Sequence, residues 1–381
     1  MSDRVTPPLL LHVFPTFAIG GAQMRFATLA NSFGRRYRHI VVAMDGDYAC
    51  AKRLAPGLDI RCEQIHVAKG ATTRNVRHFR RLLRAFGPDA LVTYNWGSIE
   101  WAMANIPRLA RHIHVEDGFG PEERAKQIRR RVLTRRLILA RSTVVLPSRT
   151  LRRIATQIWR LDSRRVHYVP NGIDLARFAA QAVREVTPDG PVIGTVAALR
   201  QEKNLPRLLR AFRRVVDVMP ARLVIIGDGP ERAGLEQLAG ELGIGARVRF
   251  TGHSDDPAPL YRDFDIFALS SDTEQMPLSV IEAMAARLPI AATDVGDVAA
   301  MVAVENRDFV TALDPAALAQ AIVALGRDAP LRATVGAANR AKAEVDFDQQ
   351  AMLAAYASLF DRAARFNGAA LFDGIVPPTA A

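Results

Sequence analysis

Three stretches of this 381-residue chain carry side chains and backbone suited to holding an anion. The densest runs from Ser270 to Met284, where two carboxylates, Glu274 and Glu282, stand with seven residues between them around Pro277. A carboxylate offers a pair of acceptors to neighbouring sugar hydroxyls. Pro277 suits the first turn of a helix. Glu274 then lies in the preceding loop, Glu282 on the second helical turn, and the N–H groups of Met276 and Leu278 at the helix start serve as anion donors. A second stretch, Thr195–Asn204, follows an apolar run and carries Arg200 and Lys203. Cations there suit a pyrophosphate and neutralise charge on a leaving diphosphate without a metal. The third is Phe17–Gln23, where Gly20-Gly21 opens a helix. Paired glycines let the backbone approach a ligand, and a helix N-terminus offers free N–H groups to an anion. Taken singly, each stretch also fits a plain turn or a surface helix. The Gly-x-Gly-x-x-Gly fingerprint is absent from the first loop, which argues against a dehydrogenase.

The elements that must position these loops are strands alternating with helices. Leu9–Phe14, His39–Ala43, Ala90–Tyr94, His112–Val115 and Thr143–Leu146 read as buried strands. Helical stretches such as Ala22–Asn31, Arg77–Phe86 and Arg124–Arg141 lie between them. After a proline-bearing link, Pro170–Pro191, the pattern restarts with Pro191–Val196, Arg222–Ile226, Val248–Thr251, Asp265–Leu269 and Pro289–Ala292. Such alternation predicts an α/β fold with parallel sheets covered on both faces. Ligands in such sheets bind in loops beyond the carboxyl ends of the strands, which is where the three stretches fall. The expected division is an N-terminal Rossmann-like domain over 1–170 and a C-terminal Rossmann-like domain over 171–348. A helix over 349–366 and a poorly ordered tail over 367–381 follow.

Bulk composition sets further bounds. Hydrophobic residues make up 49% of the chain, enough for two cores. Cys50 and Cys62 form neither a disulfide framework nor a metal motif, which favours a reducing, cytoplasmic setting. The Leu9–Ile19 stretch is broken by Pro15 and reads as a first strand and loop rather than a signal core. The net charge is +12, from 51 Lys+Arg against 39 Asp+Glu. Much of it is concentrated in Arg74–Arg84 and Arg124–Arg165, where Asp162 is the single acid of the second run. Such a field attracts phosphates, whether of nucleic acid or of anionic lipid heads, or is simply a solvated face. Trp159 is the one aromatic of that run, too few for base stacking, so nucleic acid is not expected as a partner.

In order and spacing, several landmarks make the chain resemble the retaining family 4 glycosyltransferases of the GT-B fold. These are Gly20-Gly21, Pro170-Asn171-Gly172-Ile173-Asp174, Leu199-x-x-Glu202-Lys203, Ile226-Gly227-Asp228-Gly229-Pro230, Phe250-x-Gly252, the Glu274/Glu282 pair and Leu288-Pro289-Ile290. The resemblance implies two Rossmann-like domains with parallel sheets facing across a cleft. It implies Lys203 on a donor diphosphate, Glu274 near the transferred sugar, Glu282 on ribose hydroxyls, and Gly20 and Gly21 reaching donor and acceptor. It also implies a last helix, Gln349–Arg365, that returns to the N-terminal domain.

The chain departs from the family pattern at several places. Ala198 stands where an arginine is usual, with Arg200 as the nearest substitute, and Gln275, Arg287 and Asp297 replace usual glycines. Asp117 holds the place where the family often carries a histidine. A carboxylate there would orient or deprotonate an acceptor hydroxyl, with Asn95 as a second acceptor contact, although Asp117 also reads as a loop-capping residue before Gly118.

The expected activity is therefore retaining transfer from a nucleotide diphosphate sugar, UDP- or GDP-linked, to a cell-envelope, polysaccharide or lipid-linked acceptor. The nucleotide sugar is a substrate, and no cofactor or obligatory metal is expected. Asp45-Gly46-Asp47, Asp263-Phe264-Asp265 and Asp346-Phe347-Asp348 have a metal-holding spacing but stand in the wrong places. The basic N-terminal half suggests peripheral attachment to an anionic membrane surface on the cytoplasmic side. A nucleotide-sugar epimerase or hydrolase on the same scaffold is the rival enzyme, and a basic nucleic-acid binder the rival outside enzymes.

Overall fold

The computed structural model describes residues 6–123, 127–178 and 189–364. Arg124 and Lys126 of the basic run, part of the Pro170–Pro191 link, and the 367–381 tail lie outside the described residues.

The first sheet comprises β1 (Leu9–Phe14), β2 (Arg38–Ala43), β3 (Ile60–Cys62), β4 (Ala90–Tyr94), β5 (Arg111–Val115), β6 (Thr143–Leu146) and β7 (Val166–Tyr168), in the order β3-β2-β1-β4-β5-β6-β7. The pairings of β1 with β2 and β4, of β2 with β3 and of β4 with β5 are parallel. Helices α1 (Gly21–Phe33), α2 (Thr72–Phe86), α3 (Ile99–Ala104), α4 (Arg129–Ile138) and α5 (Arg149–Gln157) punctuate these strands. Leu11, Val13, Ile40, Val42 and Leu91 from the strands pack with Phe79, Leu83 and Trp101 from the helices in one core.

The second sheet comprises β8 (Val192–Val196), β9 (Arg222–Ile226), β10 (Val248–Gly252), β11 (Ile266–Leu269), β12 (Ile290–Thr293) and β13 (Val310–Thr311), in the order β10-β9-β8-β11-β12-β13. All of its pairings are parallel. Its helices are α6 (Leu205–Val216), α7 (Arg232–Glu241), α8 (Leu278–Ala285), α9 (Val298–Met301), α10 (Pro315–Arg327), α11 (Ala329–Asp346) and α12 (Gln349–Ala364). Successive strand side chains point to opposite faces, and the burial follows. Phe267, Leu269, Ile290 and Ala292 join one core, while Ile266, Ala268 and Ala291 join the other. The strand sequences are continuous apolar runs because both faces are covered.

The chain divides into two compact units. One holds the described residues up to Val115, Arg141–Val144 and the described residues from Ala355; the other holds Glu116–Ala140 and Val145–Ala354. Within the first unit the end of α12 is fixed by Tyr37, whose hydroxyl donates to Asp361 Oδ1 at 2.6 Å, and by Arg111, which donates to the Arg362 carbonyl at 2.7 Å. The strands that sequence reading passes over are β3, β7 and β13, of two or three residues each, too short to show a period.

Candidate functional site

In the second sheet the chain leaves β8 toward one side and β11 toward the other, so the strand order reverses between these neighbours. A crevice at the carboxyl ends of such a strand pair is the usual ligand position in open α/β sheets. Lys203 and Glu274 lie in the two loops that form it. Lys203 closes the single turn Gln201–Lys203, and Asn204 follows in the left-handed region at φ 42°. The Asn204 side chain accepts the Arg207 N–H at 3.2 Å and so caps α6.

Lys203 Nζ donates to Glu274 Oε1 at 2.6 Å, and Ser271 Oγ donates to the same oxygen at 2.8 Å. Ser270 Oγ donates to the Lys203 carbonyl at 3.0 Å. Arg207, one turn beyond Lys203, reaches Asp272 Oδ1 at 2.6 Å and the Ser270 carbonyl at 2.7 Å. The two loops are thus laced together before any ligand arrives. The Lys203 side chain keeps 24% of its surface exposed and Glu274 11%, so the pair is shielded but still reachable from one side.

Two glycine landmarks have a steric cause here. A Cβ on Gly296, at φ +60°, would stand 2.3 Å from the Glu274 carbonyl. One on Gly227, at φ +140°, would stand 1.8 Å from the Ala197 carbonyl, which leads into the Lys203 loop. Both are places where only glycine lets backbones meet.

Pro277 requires a correction. It is the N-cap of α8, with φ −66° and ψ 123°, rather than a residue of its first turn. Its extended ψ lets the chain swing in from the Glu274 loop, and Met276 is buried against Asn171, whose Nδ2 donates to the Met276 carbonyl at 3.2 Å. Leu278 is the first helical residue, so its N–H remains among those without an intrahelical acceptor. Glu282 sits on the second turn and is half-buried. Tyr261 donates to Glu282 Oε2 at 2.6 Å. Burial pushes the Glu282 carboxyl above the ordinary carboxylate range, partly offset by that tyrosine hydrogen bond. Arg200 is exposed on the loop before Lys203.

The loop after β5 enters the same unit. Asp117 is half-buried, and a Cβ on the next residue, Gly118, would lie 3.1 Å from Gln275 Cγ. Asp117 therefore stands one residue from a contact whose other side is one residue from Glu274. Two of the departures noted in the sequence act together. Gln275 Oε1 accepts from Ser148 Oγ at 3.3 Å, and Asp297 accepts the backbone N–H groups of Arg149 and Thr150, the latter at 3.0 Å. Both polar residues thus tie the Glu274 loop to the start of α5, a job that glycine could not do.

The basic run also needs correcting as a uniform surface field. Arg135 is 1% exposed and forms a two-pronged ion pair with Glu123 at 3.1 and 3.0 Å, with Glu116 at 3.3 Å. The Phe119 and Trp159 rings flank its guanidinium. Burial alone would raise the Glu123 carboxyl, but the hydrogen bonds and charge of Arg135 outweigh it and hold it below its usual range. Arg131 is likewise held by Glu122 and Glu123.

In the first unit, Gly20 and Asn95 follow β1 and β4, the neighbours between which that sheet reverses its order. Gly20 is the N-cap of α1, and nothing lies within 4 Å of where a Gly21 Cβ would be. Asn95 takes a left-handed φ of 54°, and its N–H donates to the Val115 carbonyl at 2.8 Å. Pro15 packs against Gly97, where a Cβ would come within 2.7 Å, so these two loops touch. Among the described residues, no group of three or more His, Cys, Asp or Glu is gathered closely enough to hold a metal ion. Nor, among those described residues, is any helix long and apolar enough to cross a membrane.

Sequence reading missed Tyr261, Ser271 and Arg207. Only Arg207 carried a signal, being four residues beyond Lys203 and hence on the adjoining helical turn.

Residues 19–177 match Glycosyltransferase Family 4, and residues 190–328 match the glycosyl transferases group 1 family. Glycosyltransferase EpsF of Bacillus subtilis strain 168 is 30% identical over 58% of this chain and 61% of its own length. Lipopolysaccharide core biosynthesis glycosyltransferase LpsE of Rhizobium meliloti strain 1021 is 29% identical over 51% of this chain and 58% of its own length. The chain thus spans about three fifths of these curated relatives. Among solved structures, Anabaena HepE in complex with UDP superposes with a TM-score of 0.77 at 18% identity, covering 93% of this chain and 99% of that one. A glycosyltransferase from Rickettsia africae gives 0.75 at 15% identity, covering 95% and 100%. The chain belongs to the group 1, family 4 glycosyltransferases and has their α/β GT-B fold of two Rossmann-like halves with parallel sheets.

Proposed function

We propose that the protein transfers a sugar from a nucleotide diphosphate donor, UDP- or GDP-linked, to a cell-envelope, polysaccharide or lipid-linked acceptor, with retention of anomeric configuration. The observation that carries this reading is the Lys203–Glu274 pair, 2.6 Å apart at the strand-order reversal. Lys203, with Arg200 beside it and the N-terminus of α8 at Leu278, just beyond Met276 and Pro277, suits a diphosphate. As that diphosphate leaves, the same groups stabilise the charge that develops on it. Glu274 lies beside the cation that holds the leaving group, the position for contact with the transferred sugar. Glu282, anchored by Tyr261, suits the ribose hydroxyls.

The acceptor hydroxyl attacks the anomeric carbon from the face that the diphosphate leaves, and a departing phosphate oxygen takes its proton. No paired nucleophilic carboxylate is needed, unlike in retaining glycosidases. Asp117, one residue from the Gly118–Gln275 contact, orients the acceptor. The relative LpsE acts in lipopolysaccharide core biosynthesis and the HepE structure holds UDP, both of which support this class of donor and acceptor.

The test is turnover of UDP- and GDP-sugars with and without an oligosaccharide or lipid-linked acceptor. Sugar transfer that requires acceptor supports the reading. Nucleotide-sugar breakdown or epimerisation at the same rate without acceptor makes the protein a hydrolase or epimerase instead.

A further inference from the structure

Helix α4 is turned inside out. Its Arg135 is buried at 1% exposure, while Leu133 and Leu137 are 55% and 64% exposed. A helix of a water-soluble surface normally shows the opposite arrangement. The arginine is retained inside by Glu123 and Glu116 and by the flanking rings of Phe119 and Trp159. That buried anchor fixes the rotation of α4 about its axis and so forces Leu133 outward. Ile158, at the end of α5, is also exposed, at 48%.

These residues border a pocket of about 660 Å³, within the roughly 300–1,000 Å³ usual for small-molecule sites. Its apolar wall is Phe119, Val132, Leu133, Ile154 and Ile158. Its polar lining includes Gln127, Gln275, Arg129 and Arg136. Glu123 also lines it, but that carboxylate is spent on Arg135 and Arg131. Arg129 and Arg136 are exposed and, among the described residues, make no ion pair. Gln275 joins the pocket to the loop of Glu274, its peptide neighbour, and touches Gly118 beside Asp117.

We propose that this pocket is an acceptor subsite for the lipid-phosphate anchor of a glycan-bearing acceptor, in which a single apolar chain lies on Leu133, Ile154 and Ile158, the phosphate is held by Arg129 and Arg136, and a sugar hydroxyl of the glycan is the nucleophile. The proposal rests on the glycosyl-transfer reading and names the acceptor class for it. Charge and polarity select the occupant. A free sugar would leave the aliphatic wall wet, a neutral lipid would leave two cations without a partner, and an amphiphile with one anionic head satisfies both. The pocket volume accommodates the head and the first part of one chain, which suits a polyprenyl-type phosphate.

The test is calorimetric titration of the full chain with farnesyl phosphate below its micelle concentration, with farnesol and inorganic phosphate as controls. Farnesyl phosphate is expected to bind more tightly than either control. The double variant Arg129→Gln/Arg136→Gln should weaken it by about tenfold or more, the scale of lost charge-assisted contacts, and leave farnesol unchanged. Leu133→Gln/Ile158→Gln should weaken both prenyl ligands. All these side chains are on the surface, and equal melting temperatures would show that the variants fold. Farnesyl phosphate bound no better than inorganic phosphate, or bound by both double variants as tightly as by the intact protein, overturns the proposal. So does binding to anionic vesicles without binding of monomeric farnesyl phosphate, which would make the patch a membrane contact only. Nucleoside diphosphate titration of the same samples separates the two readings. If it persists while farnesyl phosphate fails, only the subsite falls; if it fails too, the transferase reading falls with it.

Discussion

Lys203 Nζ and Glu274 Oε1 lie 2.6 Å apart, although 71 residues separate them in the chain. The ammonium of one loop is held by the carboxylate of another, and Ser271 donates to the same carboxylate oxygen. A partly buried pair of this kind pre-orders the lysine, so an arriving diphosphate meets a fixed cation rather than a flexible chain. It also means that the two residues contribute differently. In the proposed reaction Lys203 would bind the leaving group, and Glu274 would hold Lys203 in place while facing the sugar.

Glu274→Gln tests that division. The amide keeps the size of the side chain but removes the charge that fixes Lys203. Nucleoside diphosphate affinity should stay within a few-fold or rise, since Lys203 is no longer shared, while the transfer rate falls by about tenfold or more. Steady-state kinetics with separate nucleotide titration checks it. A variant that transfers at the full rate would remove Glu274 from the reaction.

The first unit carries an acid-sensitive core. His12 and His39 are buried with ring nitrogens 3.1 Å apart, and His12 also contacts the Tyr94 hydroxyl at 3.1 Å. Burial pushes His12 well below its usual value, aided by the neighbouring His39, and lowers His39 to about 4. The unfolded chain therefore binds protons that the folded chain refuses. The stability contribution is complete above the ordinary histidine value of 6.5 and is lost as pH falls from there toward about 4. Each proton involved steepens the loss by about 1.4 kcal/mol per pH unit. Melting curves across that range should fall steeply on the acid side, and His39→Asn should flatten the slope. Equal slopes for the two proteins would contradict the assignment.

In the proposed reaction the cationic loops around Lys203 take over a metal's task, so metal independence is the expected outcome. Transfer should survive EDTA with little loss. Abolition by chelator with recovery on Mg²⁺ or Mn²⁺ would contradict the mechanism.

The basic residues that remain exposed, among them Arg74, Arg77, Arg130, Arg152 and Arg153, should bring the protein to anionic vesicles. Each is worth about 1 kcal/mol near such a surface. Co-sedimentation should be strong at low salt and lost near 1 M, where the field reaches only ~3 Å. Equal binding to neutral and anionic vesicles, or none to either, would leave these arginines as plain surface charge.

Much of the frame was legible because buried parallel strands are uninterrupted apolar runs. Leu9–Phe14, Ala90–Tyr94 and Thr143–Leu146 are read from sequence with the bounds they have in the structure. The candidate loops were legible for a related reason: chemistry-bearing residues cluster just after such strands, as Lys203 and Glu274 do. What the sequence hid is tertiary pairing. Nothing local says that Tyr261 anchors Glu282, or that Asp297 accepts N–H groups from the start of α5. Arg135 was hidden most fully. Among so many arginines it reads as one more surface charge, and only the meeting of Glu116, Glu123, Phe119 and Trp159 around it shows that the helix faces the other way. Pro277 shows the limit of propensity, since the residue stops one place short of the helix it was expected to enter.

In the proposed function the loops after β8 and β11, with α8, hold the nucleotide diphosphate of a sugar donor. Calorimetric titration of UDP and GDP into the intact protein, into Lys203→Ala and into Glu282→Ala tests it most directly. A lost charge-assisted contact is worth ~1.5–3 kcal/mol. One of the two nucleotides should therefore bind the intact protein and lose roughly 10- to 150-fold in affinity in each variant, with melting temperatures showing both variants folded. Affinity for that nucleotide unchanged in both variants, or no binding of either nucleotide to the intact protein, would contradict the account.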